Sequence, residues 1–318
     1  MNSNKDKLII ISGPTAAGKT ALSIKLAQDI GGSIISADSM QVYKGMDIGS
    51  AKISEEEMDG VKHYLIDILD PKDDFDIAQF KYYAREAMKD IKASGKIPIV
   101  VGGTGFYIQA LLYDIDFNVN ADEDTSLRDE LTKLAQEKGN EYLHNMLSEI
   151  DPVSADLIHA NNTKRVIRAI EYYRLTGEKI SEHNKDQREK KSPYLYKYFV
   201  INMDRDKLYD GIDKRVDIMV ENGLLNEVKA LKNAGLSKEN VSMQGLGYKE
   251  ILDYLDGKIS LEEAVEIIKR DTRHFAKRQL TWFRREENVT WINKEDFDFD
   301  EVKILEYMKE QLRSEGII

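Results

Sequence analysis

After a polar start, the chain runs through Leu8, Ile9, Ile10 and Ile11, turns at a pair of glycines, and continues with Ala21, Leu22, Ile24 and Leu26 at helical spacing. A continuous apolar run predicts a strand buried on both faces, and three- to four-residue spacing predicts a helix packed against it. The rhythm recurs. Residues 33–37 predict a short strand ending at Asp38, and residues 63–69 a further strand running into the Asp70-Pro71 turn. Residues 75–93 set Ile77, Phe80, Ala84, Met88 and Ile91 along one helical face. Ile97, Pro98, Ile99, Val100 and Val101 form the clearest buried strand, closing at Gly102-Gly103-Thr104-Gly105 before a helix with Tyr107, Ile108 and Leu111. Strand alternating with helix predicts an α/β fold, a parallel sheet flanked by helices.

The pattern changes at residues 114–125, where Asp, Asn and Glu predominate and the chain is expected to leave the sheet. Helical spacing follows in Leu127, Leu131 and Leu134 and again in Tyr142, Leu143, Met146, Leu147 and Ile150, until Asp151-Pro152 breaks it. Residues 162–176 place Lys164, Arg165, Arg168 and Arg174 beside Val166, Ile167, Ile170 and Tyr173, which as a pattern is a solvated helix face. Residues 181–192, with Lys185, Arg188, Lys190 and Lys191, predict a mobile loop or the edge of a lid. Residues 196–203 regain strand character and are expected to rejoin the first sheet. The predicted organisation is therefore a core domain of residues 1–118 and 193–318 with a mainly helical insertion at 119–192. A helix from Leu208, a loop at Gly245, Gly247 and Tyr248, a helix around Ile251 and Leu255, and a long helix over 261–285 complete the pattern.

Composition narrows the chemistry. The 318 residues, 42% of them hydrophobic, suffice for more than one structural unit. With no cysteine, the chain can form neither disulfides nor thiolate metal sites, and catalysis is expected to rest on carboxylates, Lys, Arg, hydroxyls or a hard metal. No apolar segment approaches the ~20 residues of a membrane span, and the charged beginning lacks a signal-type apolar core, so a cytoplasmic location without membrane contact is expected. The net charge of −11 argues against a polyanionic partner on average, although not locally.

Residues 13–20 read G-P-T-A-A-G-K-T between the first strand and the first helix. That is the spacing and the context of a phosphate loop, so the parallel sheet flanked by helices is expected to be a P-loop NTPase-like core, with the mainly helical insertion outside it. Gly13, Pro14, Thr15, Ala16, Ala17 and Gly18 would curl the backbone around linked phosphates, Lys19 adds a cation, and Thr20 supplies the hydroxyl that usually completes a Mg²⁺ site. Asp38 lies at a predicted strand end, where a parallel sheet opens its ligand crevice. A lone Asp there would more simply cap a turn, but Asp38 opens a loop rich in polar groups, with Ser39, Gln41, Tyr43, Lys44 and Lys52. Thr104 either caps the following helix or faces the same crevice, and Arg215 is a further candidate to reach the phosphates. Between residues 269 and 285, Lys269, Arg270, Arg273, Lys277, Arg278, Arg284 and Arg285 face a single acid, Asp271, with Phe275, Trp282 and Phe283 interleaved. A local excess of cations of this kind favours a polyanion partner.

In order along the chain, G-P-T-A-A-G-K-T, I-S-A-D-S-M-Q-V-Y-K-G-M-D-I-G-S-A-K, V-G-G-T-G-F-Y, K-R-V-I-R-A-I-E and A-K-R-Q-L-T-W-F-R together resemble the bacterial tRNA dimethylallyltransferases, over almost the whole sequence. Ala17, Ser50 and Phe106 stand where that family more often has Ser, Thr and Leu, and the zinc module of some eukaryotic members is excluded by the lack of cysteine. The resemblance implies transfer of a dimethylallyl group from dimethylallyl diphosphate, with Mg²⁺, to the exocyclic amine of the adenosine beside the anticodon. It implies Asp38 as general base, Thr104 and Lys19 in catalysis, and Arg215 on the diphosphate. It places tRNA contacts at Asp38, Ser39, Met40, Gln41, Thr104, Arg128, Lys164, Arg165, Val166, Ile167 and Arg168. Further contacts are implied at Gln244, Gly245, Leu246, Gly247, Tyr248 and Lys249, and at Lys277, Arg278, Gln279, Trp282 and Arg284. The expected partners are a tRNA anticodon stem–loop and the allylic diphosphate, bound by a monomer. A small-molecule kinase or NTPase would use the same phosphate loop but leaves the basic helix unexplained. A prenyltransferase of free adenine nucleotides would not need so extended a basic surface, and an RNA-binding module without catalysis would not need the phosphate loop together with Asp38.

Overall fold

The computed structural model describes residues 5–116 and 126–318. The chain divides into two compact units, Met1–Leu112 with Pro193–Ile318, and Tyr113–Ser192. The expected exit at 114–125 and the expected boundary at 118 and 119 fall largely outside the described residues.

The first unit opens with β1 (Asp6–Ser12), α1 (Lys19–Ile30), β2 (Gly32–Ser36), the single turn α2 (Glu55–Met58), β3 (His63–Tyr64), α3 (Ile77–Ala93), β4 (Ile97–Gly102) and α4 (Gly105–Leu112). The second unit holds α5 (Ser126–Lys138), α6 (Asn140–Ile150), α7 (Pro152–Leu157), α8 (Thr163–Thr176) and α9 (Ile180–Glu189). The first then resumes with β5 (Tyr194–Asn202), α10 (Arg205–Glu221), α11 (Leu224–Asn233), α12 (Tyr248–Leu255), α13 (Leu261–Phe283), β6 (Val289–Asn293) and α14 (Glu301–Ser314).

The strands form one parallel sheet in the order β3-β2-β4-β1-β5-β6. β1 is where the winding reverses, with the early strands to one side and the late ones to the other. Leu8, Ile9, Ile10 and Ile11 are all essentially inaccessible, because helices cover both faces. Ile9 and Ile11 join α1, α10 and α14 in one apolar layer. α3 packs on β2, β4 and α4. Asp76 and Gln79 form a capping box that starts α3, and Ser260 and Glu263 form one that starts α13.

Two expected elements differ. The strand over 63–69 shrinks to β3, because Leu65 and Asp67 take positive φ (63° and 54°), which no ladder accepts. The chain instead folds back on residues 41–44, with an isolated bridge between Tyr43 and Leu69. The expected mobile loop at 181–192 is mainly the helix α9. Its start is fixed by Asp151, which accepts hydrogen bonds from the Ser181 amide at 3.0 Å and its hydroxyl at 2.7 Å. Local polarity suggested a loop, but contacts with a distant carboxylate order it as a helix.

In the helical unit, Leu131, Leu143, Leu147, Ala155, Val166, Ile167, Ala169 and Ile170 form a separate core. Asp151 both ends α6 and caps α7, where Pro152 occupies the first turn at no hydrogen-bond cost.

Candidate active site

The loops that follow β1, β2 and β4 meet at one edge of the sheet. Gly102 has no room for a side chain, since a Cβ there would lie 2.3 Å from the Ala37 carbonyl oxygen. The Ala37 amide donates to Val101 O at 2.8 Å and the Ser12 hydroxyl to Gly102 O at 2.7 Å, so the Asp38 and Thr104 loops are stitched together beside the phosphate loop. Gly13 serves a similar close approach, with Ile201 O 2.2 Å from where its Cβ would be and a φ of 145°.

Unlike α3 and α13, α1 begins without a side-chain cap. Gly18 at its N-cap takes φ 81°, and the amides of the first turn, which no helix can satisfy internally, are left for a ligand. Lys19 Nζ donates to Pro14 O at 2.7 Å, folding back on the loop. Burial, and then the Arg215 guanidinium, lower the Lys19 pKa to about 7, while the Asp38 carboxylate acts in the opposite direction. Burial also pulls Arg215 down, again opposed by Asp38. Arg215 comes from α10, which passes close to the phosphate loop. A Cβ on Gly211 would lie 3.9 Å from that of Ala16. Two cations and one carboxylate, drawn from α1, α10 and the β2 loop, therefore share a field at the sheet edge.

Asp38 Oδ1 accepts from the Met40 amide at 2.8 Å, which aims the carboxylate. The rest of its loop is held from several sides. Lys52, its side chain 4% exposed, donates to Tyr43 O at 2.6 Å and Asp47 Oδ1 at 2.6 Å and pairs with Asp67. Glu227 accepts from the amides of Asp47, Ile48 and Gly49 and from the Tyr248 hydroxyl at 2.8 Å. This carboxylate was not singled out from sequence, where nothing marks it.

The structure also redistributes the expected roles. Gln279 is buried. Its amide oxygen accepts from the Thr15 N–H at 2.9 Å and its nitrogen donates to Gly103 O at 3.0 Å, clamping the two glycine loops together. Its side chain is engaged in this clamp, and the Thr15 amide is bound to it. Tyr248 is fully buried under Gly49. Gln41 is engaged by Ser36 at 3.0 Å and Ala51 at 3.4 Å. Gly245 packs on Met40. The side chains of Val166 and Ile167 belong to the helical core, which leaves Lys164 and Arg165 as the exposed cations of that motif. Arg128 and Arg168 both bind Glu171, a carboxylate with no exposed surface, at 3.1 and 2.8 Å.

The cationic excess on α13 is smaller than its sequence suggests. α10 supplies Asp213 to Arg273 at 2.5 Å and Asp217 to Lys269 at 2.6 Å, and Arg270 holds Asp271. Lys277, Arg278, Arg284 and Arg285 are exposed and have no ion pair among the described residues. Lys277, Arg278, Thr281, Trp282 and Arg285 line an open concavity of about 210 Å³. Trp282 lies against Gly105, where a Cβ would meet its ring at 2.2 Å, and Phe106 meets it edge-on at 5.9 Å. Beside it, burial pushes Glu286 up to about 7. An aromatic surface within a cationic rim suits a stacked base and its phosphates.

The IPP transferase family model matches residues 41–286, which is most of the chain. The chain belongs to the IPP transferase family. Among curated relatives of this IPP transferase, the tRNA dimethylallyltransferase of Lachnoclostridium phytofermentans is 59% identical across 95% of this chain and 96% of its own. That of Acetivibrio thermocellus is 54% identical across 98% and 99%. The solved tRNA isopentenylpyrophosphate transferase of Bacillus halodurans superposes with a TM-score of 0.73 at 45% identity, covering 98% of each chain. A eukaryotic dimethylallyltransferase acting on tRNA superposes with a TM-score of 0.78 at 32% identity, covering 91% of this chain and 74% of its own. Among the described residues of this IPP transferase, no helix is long and apolar enough to cross a membrane.

Proposed function

We propose that the chain transfers the dimethylallyl group of dimethylallyl diphosphate to N6 of adenosine 37 in tRNA, releasing diphosphate. The observation that carries this reading is the convergence of Lys19, Arg215 and Asp38 at the sheet edge, beside the loop of Thr104. A leaving diphosphate needs cations, and a weak amine nucleophile needs a base. The phosphate loop and α1 would hold the diphosphate. As the allylic C–O bond breaks, its electron pair leaves with the diphosphate, and Lys19 and Arg215 stabilise the charge that develops. The N6 lone pair forms the new C–N bond, and the Asp38 carboxylate takes the N6 proton. Thr104 lies beside the reacting groups.

Mg²⁺ fits this arrangement. Among the described residues no cluster of three acidic or histidine side chains offers a dedicated metal cage, so the ion would be held by Thr20 and the oxygens of the diphosphate itself. When bound, it would supply Lewis-acid stabilisation of the leaving group. The adenosine would leave its stack to reach this edge, and the Trp282 surface with Lys277, Arg278, Arg284 and Arg285 would receive the surrounding RNA. On the helical unit, the exposed Lys164 and Arg165 would offer the RNA further cations. The enzyme is expected to act as a cytoplasmic monomer.

Incubation with dimethylallyl diphosphate, Mg²⁺ and unmodified tRNA, followed by nucleoside mass spectrometry, should reveal a prenylated adenosine. Incubation with the same donor and AMP should give no product, and with ATP alone no phosphoryl transfer. Prenyl-AMP formed without prenylated tRNA would overturn the assignment of the acceptor.

A further inference from the structure

Outside the phosphate loop, lysines with largely covered side chains are matched with acids. Lys52 meets Asp47 and Asp67, Lys269 meets Asp217, and Lys309 meets Asp29 and Glu306, with their side chains 4%, 16% and 15% exposed. Lys294 breaks the pattern. Its side chain is largely covered, with 9% of the residue exposed, its amine keeps contact with solvent, and it has no hydrogen-bond or ion-pair partner among the described residues. The adjacent carboxylates are occupied elsewhere. Glu295 accepts from the Asp204 amide at 2.8 Å and Asp296 from the Asn293 amide group at 3.2 Å. An ammonium held in place by a covered side chain, with no acid of the chain to pair with, keeps its charge for an incoming anion.

The place of that amine indicates which anion. Lys294 follows β6 directly and therefore stands at the same C-terminal sheet edge as the phosphate loop. Its Nζ lies 2.6 Å, and its Cε 3.8 Å, from where a Cβ on Gly18 would be. Gly18 is the N-cap of α1, whose first-turn amides already favour negative charge. A cation parked against the positive end of a helix is doubly unfavourable when the loop is empty. It becomes favourable once an anion fills the loop.

We propose that Lys294 is a second lysine of the phosphate loop, which reaches over Gly18 to bind the diphosphate of the donor and of the released product. The inference rests on the reading of the loop as a diphosphate site. Lys19 rises from inside the loop and Arg215 comes from α10, while Lys294 approaches from β6 and adds a charge-assisted hydrogen bond to a phosphate oxygen. Its sequence gives no hint of this, since W-I-N-K-E-D lies outside every phosphate-binding motif.

The test is calorimetric titration of inorganic diphosphate with Mg²⁺ into the wild type, Lys294→Met, Lys294→Arg and Lys19→Ala, alongside steady-state kinetics with dimethylallyl diphosphate and tRNA. Lys294→Met should weaken diphosphate binding by about tenfold or more and raise the donor KM in parallel, with the tRNA KM unchanged. Lys294→Arg should stay within a few-fold of wild type. Without ligand, Lys294→Met should melt no lower than wild type, because it breaks no ion pair or hydrogen bond and keeps the apolar stem covered, and diphosphate should raise its melting temperature less. Wild-type diphosphate affinity in Lys294→Met, with affinity lost in Lys19→Ala, would overturn the role of Lys294 and leave the diphosphate site standing. A lower melting temperature with unaltered diphosphate affinity would show a purely structural lysine. Failure of the wild type to bind diphosphate would overturn the site and this inference together.

Discussion

In the helical unit Arg128 and Arg168 close on Glu171, which has no exposed surface, whereas at the sheet edge Lys19 and Arg215 have only Asp38 between them. Both sets hold two cations and one carboxylate, but in the first both arginines bond the acid directly and join α5 to α8. In the second, Asp38 forms no ion pair with either cation among the described residues, and burial and, for Lys19, the neighbouring guanidinium hold the cations below their usual pKa. α13 repeats the contrast along one helix. Lys269 and Arg273 are tied to α10, whereas Lys277 and Arg278 further along, and Arg284 and Arg285 just past its end, form no ion pair among the described residues. A paired cation contributes to architecture; an unpaired one keeps its field for an incoming anion.

The contrast is most sharply tested at its centre. Asp38→Asn removes the proposed proton acceptor while keeping shape and should lower single-turnover prenyl transfer by about 10²- to 10⁴-fold with tRNA affinity intact. A near-wild-type rate would remove Asp38 from the base role. Next in size, replacing both Arg128 and Arg168 with Ala strands a buried carboxylate and should cost about 3–5 kcal/mol in denaturant unfolding, each single variant much less. Unchanged stability with weakened tRNA binding would break the comparison, by showing that these arginines serve the ligand.

Lys19 gives the pH dependence. In the free enzyme it loses its proton near pH 7, and a bound diphosphate restores the charged form and raises its pKa. Donor affinity should therefore be greatest below pH 7 and fall by up to about tenfold per unit above it, until the pKa of the complex is passed. Calorimetry across this range should show proton uptake on binding. The slope should flatten in Lys19→Arg, whose guanidinium stays charged.

On α13, Lys277→Ala with Arg278→Ala should raise the tRNA KM and reduce the slope of log affinity against log salt by about two. The paired counterpart, Lys269→Ala, should leave that slope alone and cost less than about 1 kcal/mol of stability, as exposed ion pairs generally do. Equal effects of the two on the salt slope would erase the distinction between the halves of the helix.

Much of the fold and of the site was legible in the chain. The strands could be read because both faces of the sheet are covered, so that Leu8, Ile9, Ile10 and Ile11 or Ile99, Val100 and Val101 form unbroken apolar runs. The phosphate loop could be read because its backbone geometry demands glycine at Gly13 and Gly18 in fixed register with Lys19. Asp38 and Thr104 were visible as strand-end residues, since a parallel sheet gathers such ends along one edge. What escaped depends on residues far apart in sequence. α9 is too polar to declare itself and is ordered by Asp151, thirty positions earlier. Residues 63–69 resemble a strand until positive φ at Leu65 and Asp67 turns them aside.

The sequence by itself determined the alternation of buried strand and amphipathic helix, the phosphate loop and the order of motifs that marks the family, because these follow from spacing along the backbone. Tertiary structure alone decided which cations are spent on acids and which remain free. Asp213 and Asp217 reach α13 from another helix, Gln279 joins Thr15 to Gly103, and Lys294 comes to lie over Gly18. The balance of charge at a site depends on distance and burial in space, and a list of residues contains neither.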